Sequence, residues 1–380
     1  MKIKARHKHD AMKIICVVGA RPNFIKIAPI IEEINNSSRN SGRRRNITCK
    51  IVHTGQHYDY KMSGAIFKEL EIPKPDYNLG IGSGSHGLQT GKIMIEFEKV
   101  CLKEDPDLVL VVGDVNSTLA ASLVAAKMNI KVGHIEAGLR SFDRNMPEEI
   151  NRVLTDQIAD YLFVTEPSAI KNLLNEGISR KKIFYVGNVM IDTLLKHKSS
   201  IKDQNSQILK KFGLRPREYA LLTLHRPSNV DDEEKIKKLF SVFERISQII
   251  PIIFPAHPRT IDQIRRSGLK IKTNNLIITE PLGYLDNLNL IANSKFVMTD
   301  SGGIQEETTV LGIPCLTLRT NTERPVTIDV GTNILVGRNS GKITREVKNI
   351  LAGRAKKNKI PKYWDGKTAR RIIAIINKHY

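Results

Sequence analysis

Several carboxylates stand where short apolar runs give way to polar ones. Asp114 follows the run Leu108–Val112 as Gly113-Asp114, and Glu136 closes the next run within His134-Ile135-Glu136-Ala137-Gly138-Leu139-Arg140. Glu148 and Glu149 follow Pro147, with Asn151 and Arg152 a turn later. Carboxylates gathered on one strand edge are what removing a proton from carbon, and returning it, would need. Each also has a plainer reading. Asp114 suits a helix N-cap. Glu148 suits a first helical turn, with Arg152 as its i,i+4 partner.

Cations and glycines stand at similar places. Val17-Val18-Gly19-Ala20-Arg21-Pro22 reads as a strand, a tight turn and a helix start, which puts Arg21 beside a helix N-terminus. Charge and dipole would both favour an anion there. Thr223-Leu224-His225-Arg226 ends a later apolar run. Asp300-Ser301-Gly302-Gly303-Ile304-Gln305-Glu306-Glu307 follows another. In Ser301-Gly302-Gly303 the backbone N–H groups can approach a phosphate with no side chain in the way. Glu307, about one turn inside that helix, can accept from two vicinal hydroxyls such as a ribose presents. The plainer reading is a glycine-permitted turn with a dipole-stabilising acid.

Other signals fail their context. Gly82-Ser83-Gly84-Ser85-His86-Gly87 matches a dinucleotide fingerprint but follows the Pro-containing stretch Ile72–Asn78, not a clear strand. His134-Ile135-Glu136 has the HxE of zinc deaminases without the PCxxC. His53 and His57 straddle a strand end and a loop, and there is no Walker A sequence. Cys16, Cys49, Cys101 and Cys315 form no CxxC and read as buried reduced thiols of a cytoplasmic protein. No metal and no NAD are expected.

The elements that would position these residues alternate regularly. Strands are expected at Lys13–Val18, Ile47–Thr54, Leu108–Val112, Lys131–Ile135, Tyr161–Val164 and Ile183–Val186. Helices are expected between them at Phe24–Asn35, Lys61–Leu70, Leu88–Lys103, Ser117–Met128, Glu148–Ala159 and Ser168–Glu176. A second series has strands at Tyr219–Leu224, Ile252–Pro255, Leu276–Ile278, Phe296–Met298, Pro314–Leu318 and Ile334–Val336. Its helices include Glu233–Ile249, Leu285–Ala292 and Ile304–Val310, and a last helix covers Lys367–His379. Near-continuous apolar strands alternating with amphipathic helices predict α/β architecture with parallel sheets. We read two Rossmann-like doubly wound domains, 1–188 and 198–366, facing a central cleft. Residues 1–11 read as a basic tail, and 367–380 as a helix packing back on the first domain.

Composition bounds the function. The chain has 380 residues, 41% hydrophobic and 26% charged, which excludes disorder, collagen and a disulfide-built miniprotein. Lys2, Lys4, Arg6 and Lys8 precede no apolar h-region, so a signal peptide is not expected. No apolar run is long enough for a membrane span. The net charge of +21 implies an anionic partner. Nucleic acid is disfavoured, because no nucleic-acid motif or aromatic-interleaved basic stripe is present. The arginines Arg39 and Arg43–Arg45 read as a solvated loop.

Taken together, Gly19-Ala20-Arg21-Pro22, Gly113-Asp114, Gly133–Arg140, Pro147-Glu148-Glu149 with Asn151-Arg152, Thr299–Glu307 and Glu323-Arg324-Pro325 resemble the non-hydrolysing UDP-N-acetylglucosamine 2-epimerase family. The resemblance runs from about Met12 to the end. It implies a fold like that of the GT-B glycosyltransferases, a homodimer, and interconversion of UDP-GlcNAc and UDP-ManNAc. It implies acid/base roles for Asp114, Glu136 and Glu148, and places His225 beside the leaving pyrophosphate. It further implies diphosphate contacts from Arg21, Ser301, Gly302 and Gly303, a ribose contact from Glu307, and substrate contacts from Arg324 and Lys26. Lys26 also reads as a solvated helix lysine. Where bacterial members carry His-Arg-Arg-Glu, this chain has His225-Arg226-Pro227-Ser228, and Gln56-His57-Tyr58-Asp59 matches their loop only in part. Since those regions bind a second, activating UDP-GlcNAc in the bacterial members, the departures imply weak or absent activation here.

The chemistry can be reasoned without the resemblance. C2 of the sugar has no neighbouring carbonyl, so simple deprotonation is unfavourable. Loss of the C2 proton as UDP leaves C1 gives a glycal, and UDP then adds back with a proton delivered to the other face. That route needs acid and base groups near C2 and stabilisation of the diphosphate. A hydrolysing 2-epimerase and a GT-B glycosyltransferase are the competing readings.

Overall fold

The computed structural model describes residues 11–39, 46–55, 67, 69–201, 206–269, 271 and 273–379. It divides into two compact units, Met1–Thr193 with Asp365–Tyr380, and Leu194–Trp364.

Unit 1 carries strands β1 (Ala11–Val18), β2 (Asn46–His53), β3 (Tyr77–Asn78), β4 (Leu108–Val112), β5 (Lys131–Ala137), β6 (Tyr161–Val164) and β7 (Ile183–Tyr185). They form one seven-stranded parallel sheet ordered β3-β2-β1-β4-β5-β6-β7. All of β4, Leu-Val-Leu-Val-Val, is buried. A parallel strand covered on both faces has no solvent side, hence the unbroken apolar run. Val17, Val109, Val111, Val132 and Leu162 build the core with Phe97 and Val124 from the helices. The helices are α1 (Arg21–Arg39), α2 (His86–Glu104), α3 (Asn116–Lys127), α4 (Pro147–Ile158), α5 (Pro167–Asn175) and α6 (Val189–Lys196).

Unit 2 carries α7 (Glu233–Ser247), α8 (Pro258–Arg266), α9 (Tyr284–Asn293), α10 (Gly302–Leu311) and α11 (Ser340–Leu351). The last helix, α12 (Thr368–His379), belongs to unit 1 and packs on α1. The unit 2 strands are β8 (Ala220–Thr223), β9 (Ile252–Pro255), β10 (Leu276–Thr279), β11 (Phe296–Thr299), β12 (Cys315–Thr317) and β13 (Asn333–Leu335). They form a six-stranded parallel sheet ordered β10-β9-β8-β11-β12-β13. The expected α/β class, with two doubly wound parallel sheets, is the class found.

Strand order reverses between β1 and β4 in one sheet and between β8 and β11 in the other. In open α/β sheets such a reversal opens the crevice that takes ligands, outside the carboxyl ends of the strands.

Some local expectations fall outside the described residues, and others differ from what is found. The helix expected at Lys61–Leu70 lies mostly outside the described residues, as do Gln56–Asp59, Arg43–Arg45 and the basic tail through Asp10. Strand β3 was not expected, because Pro73 and Pro75 break the apolar pattern. Asp76 ties this edge to β2, accepting from the Ile51 N–H at 2.8 Å. The run Gly82–Gly87 therefore does follow a strand, and α2 opens within it at His86. That strand is a two-residue edge, two places from the reversal point, and the Gly82 N–H donates to the Gly55 carbonyl at 2.9 Å. Helices α6, α8 and α11 also go beyond the expected set. Within α8 only Thr260 and Ile264 are buried, whereas α11 buries Ile343, Val347 and Ile350, a helical spacing that was legible.

Asp192 in α6 shows how buried charge tunes the fold. Its Oδ2 accepts from the Ala369 N–H at 2.8 Å, tying the start of α12 to α6. Burial pushes its carboxyl up to about 6, against bonds from Ala369 and Thr368 that pull it down. With an ordinary value of 3.8, the folded chain keeps this proton after the unfolded chain has released it. Stability from this group is therefore greatest below about pH 4 and falls as pH rises toward 6, by about 3 kcal/mol. Asp192→Asn keeps the acceptor and removes the charge. Thermal melts should show the variant more stable than wild type at pH 8 and matched to it near pH 3; an equal gap at both values would refute the buried charge.

Candidate active site

In unit 1 the turn after β1 is locked by Asn23. Its Oδ1 accepts from the Gly19 N–H at 3.2 Å and the Ala20 N–H at 3.0 Å, and its Nδ2 donates to the Val112 carbonyl at 2.9 Å. These bonds bridge the ends of β1 and β4 at the reversal point. A Cβ on Gly19 would stand 2.1 Å from Ser117 Oγ, so no larger residue fits. Arg21, half-buried, opens α1.

Lys26 is buried, and its ammonium bonds the Glu136 carboxylate, so the solvated-lysine reading fails. Glu136 itself is buried and holds a left-handed backbone, φ 73°, where the β5–β6 register shifts between Ile135 and Ala137. A non-glycine residue in that region costs on the order of 1–3 kcal/mol and needs its surroundings to hold it. Gly113, φ 72°, comes close beside it: a Cβ there would lie 3.5 Å from Glu136 Oε2 and 3.6 Å from both Lys26 Nζ and Asn23 Nδ2. Lys26, Glu136, Asn23 and Gly113 thus meet at the carboxyl ends of β4 and β5.

Asp114 is not a helix cap; Val115 holds that position for α3. Its Oδ2 instead accepts from Arg152 Nε at 3.0 Å and Nη2 at 2.6 Å. Asn151 Nδ2 donates to the Asp114 carbonyl at 2.9 Å. The expected Glu148–Arg152 pair is not formed. Arg152 pairs with Glu149, whose carboxylate also accepts from the Ser141 and Phe142 N–H groups at 2.9 Å each. Glu149 lies on the inner side of the first turn of α4 and is spoken for, while Glu148 is exposed and makes no ion pair among the described residues.

In unit 2 the site spans the β8/β11 reversal. Asp300, buried after β11, accepts from the His225 ring at 2.8 Å between Nδ1 and Oδ1. It also accepts from the Arg226 N–H and from Asn229 Nδ2, each at 3.0 Å. Burial pushes the Asp300 carboxyl up, but His225, the Arg226 amide and Asn229 outweigh it and hold it below its ordinary range. This partner of His225 was missed in the sequence. The signal was a carboxylate ending one strand and a histidine ending another, legible only once β8 and β11 are known to be neighbours.

Ser301 is the N-cap of α10, and no side chain caps it among the described residues. The amides of Gly302 and Gly303 thus stand in the first turn of α10 with no side-chain cap on it among the described residues. Arg324 lies against this turn: its Nη1 is 2.4 Å from where a Gly302 Cβ would stand. Its Nε bonds Glu306 and its Nη1 bonds Glu323, both at 2.6 Å. Burial pushes Glu323 up, but Arg324, Arg319 and Arg226 outweigh it and hold it well below the usual range. Three guanidinium groups, Arg226, Arg319 and Arg324, thus crowd against Glu323, and Arg324 also pairs with Glu306. Glu307, also buried, sits in the first turns of α10.

Comparison with known proteins gives a consistent result. Residues 39–377 match the family model described as UDP-N-acetylglucosamine 2-epimerase. The chain is 48% identical over 371 residues to a UDP-N-acetylglucosamine 2-epimerase of Methanocaldococcus jannaschii, covering 96% of this chain and 99% of that one. It is 41% identical over 371 residues to a UDP-2,3-diacetamido-2,3-dideoxy-D-glucuronate 2-epimerase of Pseudomonas aeruginosa, covering 97% of this chain and 100% of the other. Among solved structures, that of the M. jannaschii UDP-GlcNAc 2-epimerase in complex with UDP-GlcNAc and UDP matches with a TM-score of 0.87 at 47% identity, covering 97% of this chain and 100% of that one. With two doubly wound sheets, a charged site at each reversal point and a match along nearly its whole length, this chain belongs to the UDP-N-acetylglucosamine 2-epimerase family.

Proposed function

We propose that this protein interconverts UDP-GlcNAc and UDP-ManNAc by non-hydrolysing elimination and re-addition, with no NAD and no metal. A carboxylate takes the C2 proton while the C1–O bond to UDP breaks and its electron pair leaves with the diphosphate. A C1=C2 glycal results. A diphosphate oxygen then re-forms the bond to C1 as a proton is delivered to the opposite face of C2. The observation carrying this reading is the gathering of Glu136, Lys26 and Gly113-Asp114 at the reversal point of unit 1. Asp114, Glu136 and Glu148 are the acid/base groups, and Lys26 holds the Glu136 carboxylate in place. Arg21, Ser301, Gly302, Gly303 and Arg324 hold the diphosphate, Glu307 the ribose, and His225, oriented by Asp300, the leaving oxygen. The M. jannaschii relative, whose structure contains UDP-GlcNAc and UDP, supports the substrate class. The product would serve as an activated amino sugar for cell-surface glycan assembly.

No helix among the described residues is long and apolar enough to cross a membrane. A cytoplasmic enzyme acting on a nucleotide sugar, with free thiols at Cys16, Cys49, Cys101 and Cys315, fits this reading. We also propose a homodimer. Helix α2 exposes Leu88, Ile95 and Leu102, seven residues apart and so on one stripe, and α4 exposes Ile150 and Leu154.

The central test is proton NMR in D2O. UDP-GlcNAc should give UDP-ManNAc carrying deuterium at C2, and Asp114→Asn should lower turnover by roughly 10²–10⁴-fold. Full retention of the C2 hydrogen would favour hydride transfer and sink the elimination route. Free ManNAc as the main product would favour the hydrolysing reading, and sugar transfer to an acceptor the glycosyltransferase. With Pro227 and Ser228 offering no cation, the same assay begun from UDP-ManNAc alone should proceed without added UDP-GlcNAc.

Glu307→Gln should weaken UDP binding by about 10–100-fold, since hydrogen bonds to a charged group contribute roughly 1.5–3 kcal/mol. Titration calorimetry reads this directly, and unchanged affinity would remove Glu307 from the nucleotide site. Light scattering should give a mass near twice 42.8 kDa. Leu88→Glu with Ile95→Glu should return it to the monomer value; a dimer untouched by these changes would place the interface elsewhere.

A further inference from the structure

Beneath the unit 1 carboxylates runs a chain of buried charges. His134 Nδ1 lies 2.7 Å from Asp156 Oδ1, and its Nε2 lies 2.8 Å from the Gly113 carbonyl oxygen. Asp156 Oδ2 accepts from the Gly138 N–H at 3.0 Å and pairs with Arg140 Nη1 at 2.7 Å. Arg140 passes on to Glu176 through Nε at 2.8 Å and Nη2 at 2.6 Å. Burial pushes the Asp156 carboxyl up, but His134 and Arg140 outweigh it and hold it below its ordinary range. His134 thus bridges the Asp156 carboxylate and the Gly113 carbonyl.

This chain ends on two backbone groups that matter. The Gly113 carbonyl is one residue before Asp114, and the Gly138 N–H is two residues after Glu136. Gly113, Glu136 and Gly138 are all left-handed, with φ of 72°, 73° and 79°. Of the three, only Glu136 has a Cβ to pay for that conformation. Its flanking residues His134 and Gly138 both bond the same carboxylate.

We propose that Asp156 is a positioning residue of the reaction: through His134 it fixes the turn carrying Asp114, and through the Gly138 N–H it fixes the bulge carrying Glu136. One buried carboxylate thereby sets the spacing of two proton-transfer groups that it does not touch. The proposal rests on the acid/base reading of Asp114 and Glu136 given above. Catalytic groups displaced by about 1 Å lose on the order of 10²-fold in rate.

Three variants test it. Asp156→Asn and His134→Asn should each lower kcat by about 10²-fold. Loss of transition-state positioning alone should leave KM within about threefold of wild type. UDP affinity by calorimetry should stay at the wild-type value, since its contacts other than Arg21 are read in unit 2 and Arg21 lies on neither of the two turns. Glu176→Gln breaks the outer end of the same network and touches neither turn, so it should lower the melting temperature and keep kcat. A purely structural network predicts the opposite pattern, with kcat following melting temperature in all three. Wild-type kcat in His134→Asn, or an equal loss in Glu176→Gln, overturns the proposal, and this pair decides it even where Asp156→Asn fails to fold. Wild-type product without deuterium at C2 in D2O would instead remove the acid/base reading beneath it.

Discussion

A parallel sheet whose strand order reverses leaves a gap above its carboxyl edge, because the helices on either side of the reversal leave toward opposite faces. Strand ends in that gap present backbone groups without ladder partners, and polar side chains must meet them. In unit 1 Asn23 does this between β1 and β4, and in unit 2 Asp300 does it between β8 and β11. The same geometry that demands these polar anchors also delivers Arg21, Asp114, His225 and the Ser301–Gly303 turn to the two reversal points. Structural necessity and chemical opportunity thus coincide.

Both sites are also places of buried charge. Isolated buried ions are costly, so each is matched: Lys26 with Glu136, Arg152 with Asp114 and Glu149, Arg319 and Arg324 with Glu323. Removing one partner of such a pair leaves the other uncompensated, typically about 3–5 kcal/mol worse. The pairs therefore give rigid geometry more than net stability. Asp192 shows the opposite arrangement: a carboxyl buried without a cation rises to about 6.

Fit at the backbone is just as demanding. Gly19 and Gly302 lie so close to Ser117 and Arg324 that a Cβ would collide. These glycines were recognisable in the sequence as turn formers, but the groups they make room for were not. The role of Asn23, in an otherwise ordinary helix start, was likewise silent until Val112 was seen beside it.

What could be read directly was whatever depends on neighbours in the chain. Apolar runs marked the strands because both faces of a parallel sheet are covered, and the motif order identified the family. Glycine-rich turns marked the helix starts, since backbone freedom is a property of the residue itself. Periodicity, however, says which face of a strand or helix is apolar, not which strand lies beside which. Lys26 and Glu136 are 110 residues apart, and His225 and Asp300 come together only across the β8–β11 pairing. The choice of Glu149 over Glu148 as the inward acid turned on the rotation of α4, which turns Glu149 to the Ser141 and Phe142 amides. Asp156, in the last turn of α4 and unremarked, meets the Gly138 N–H directly and the Gly113 carbonyl through His134 only once β4 and β5 lie side by side. Long-range charge pairing requires desolvated partners at bonding distance, and only the folded sheet order brings those atoms together.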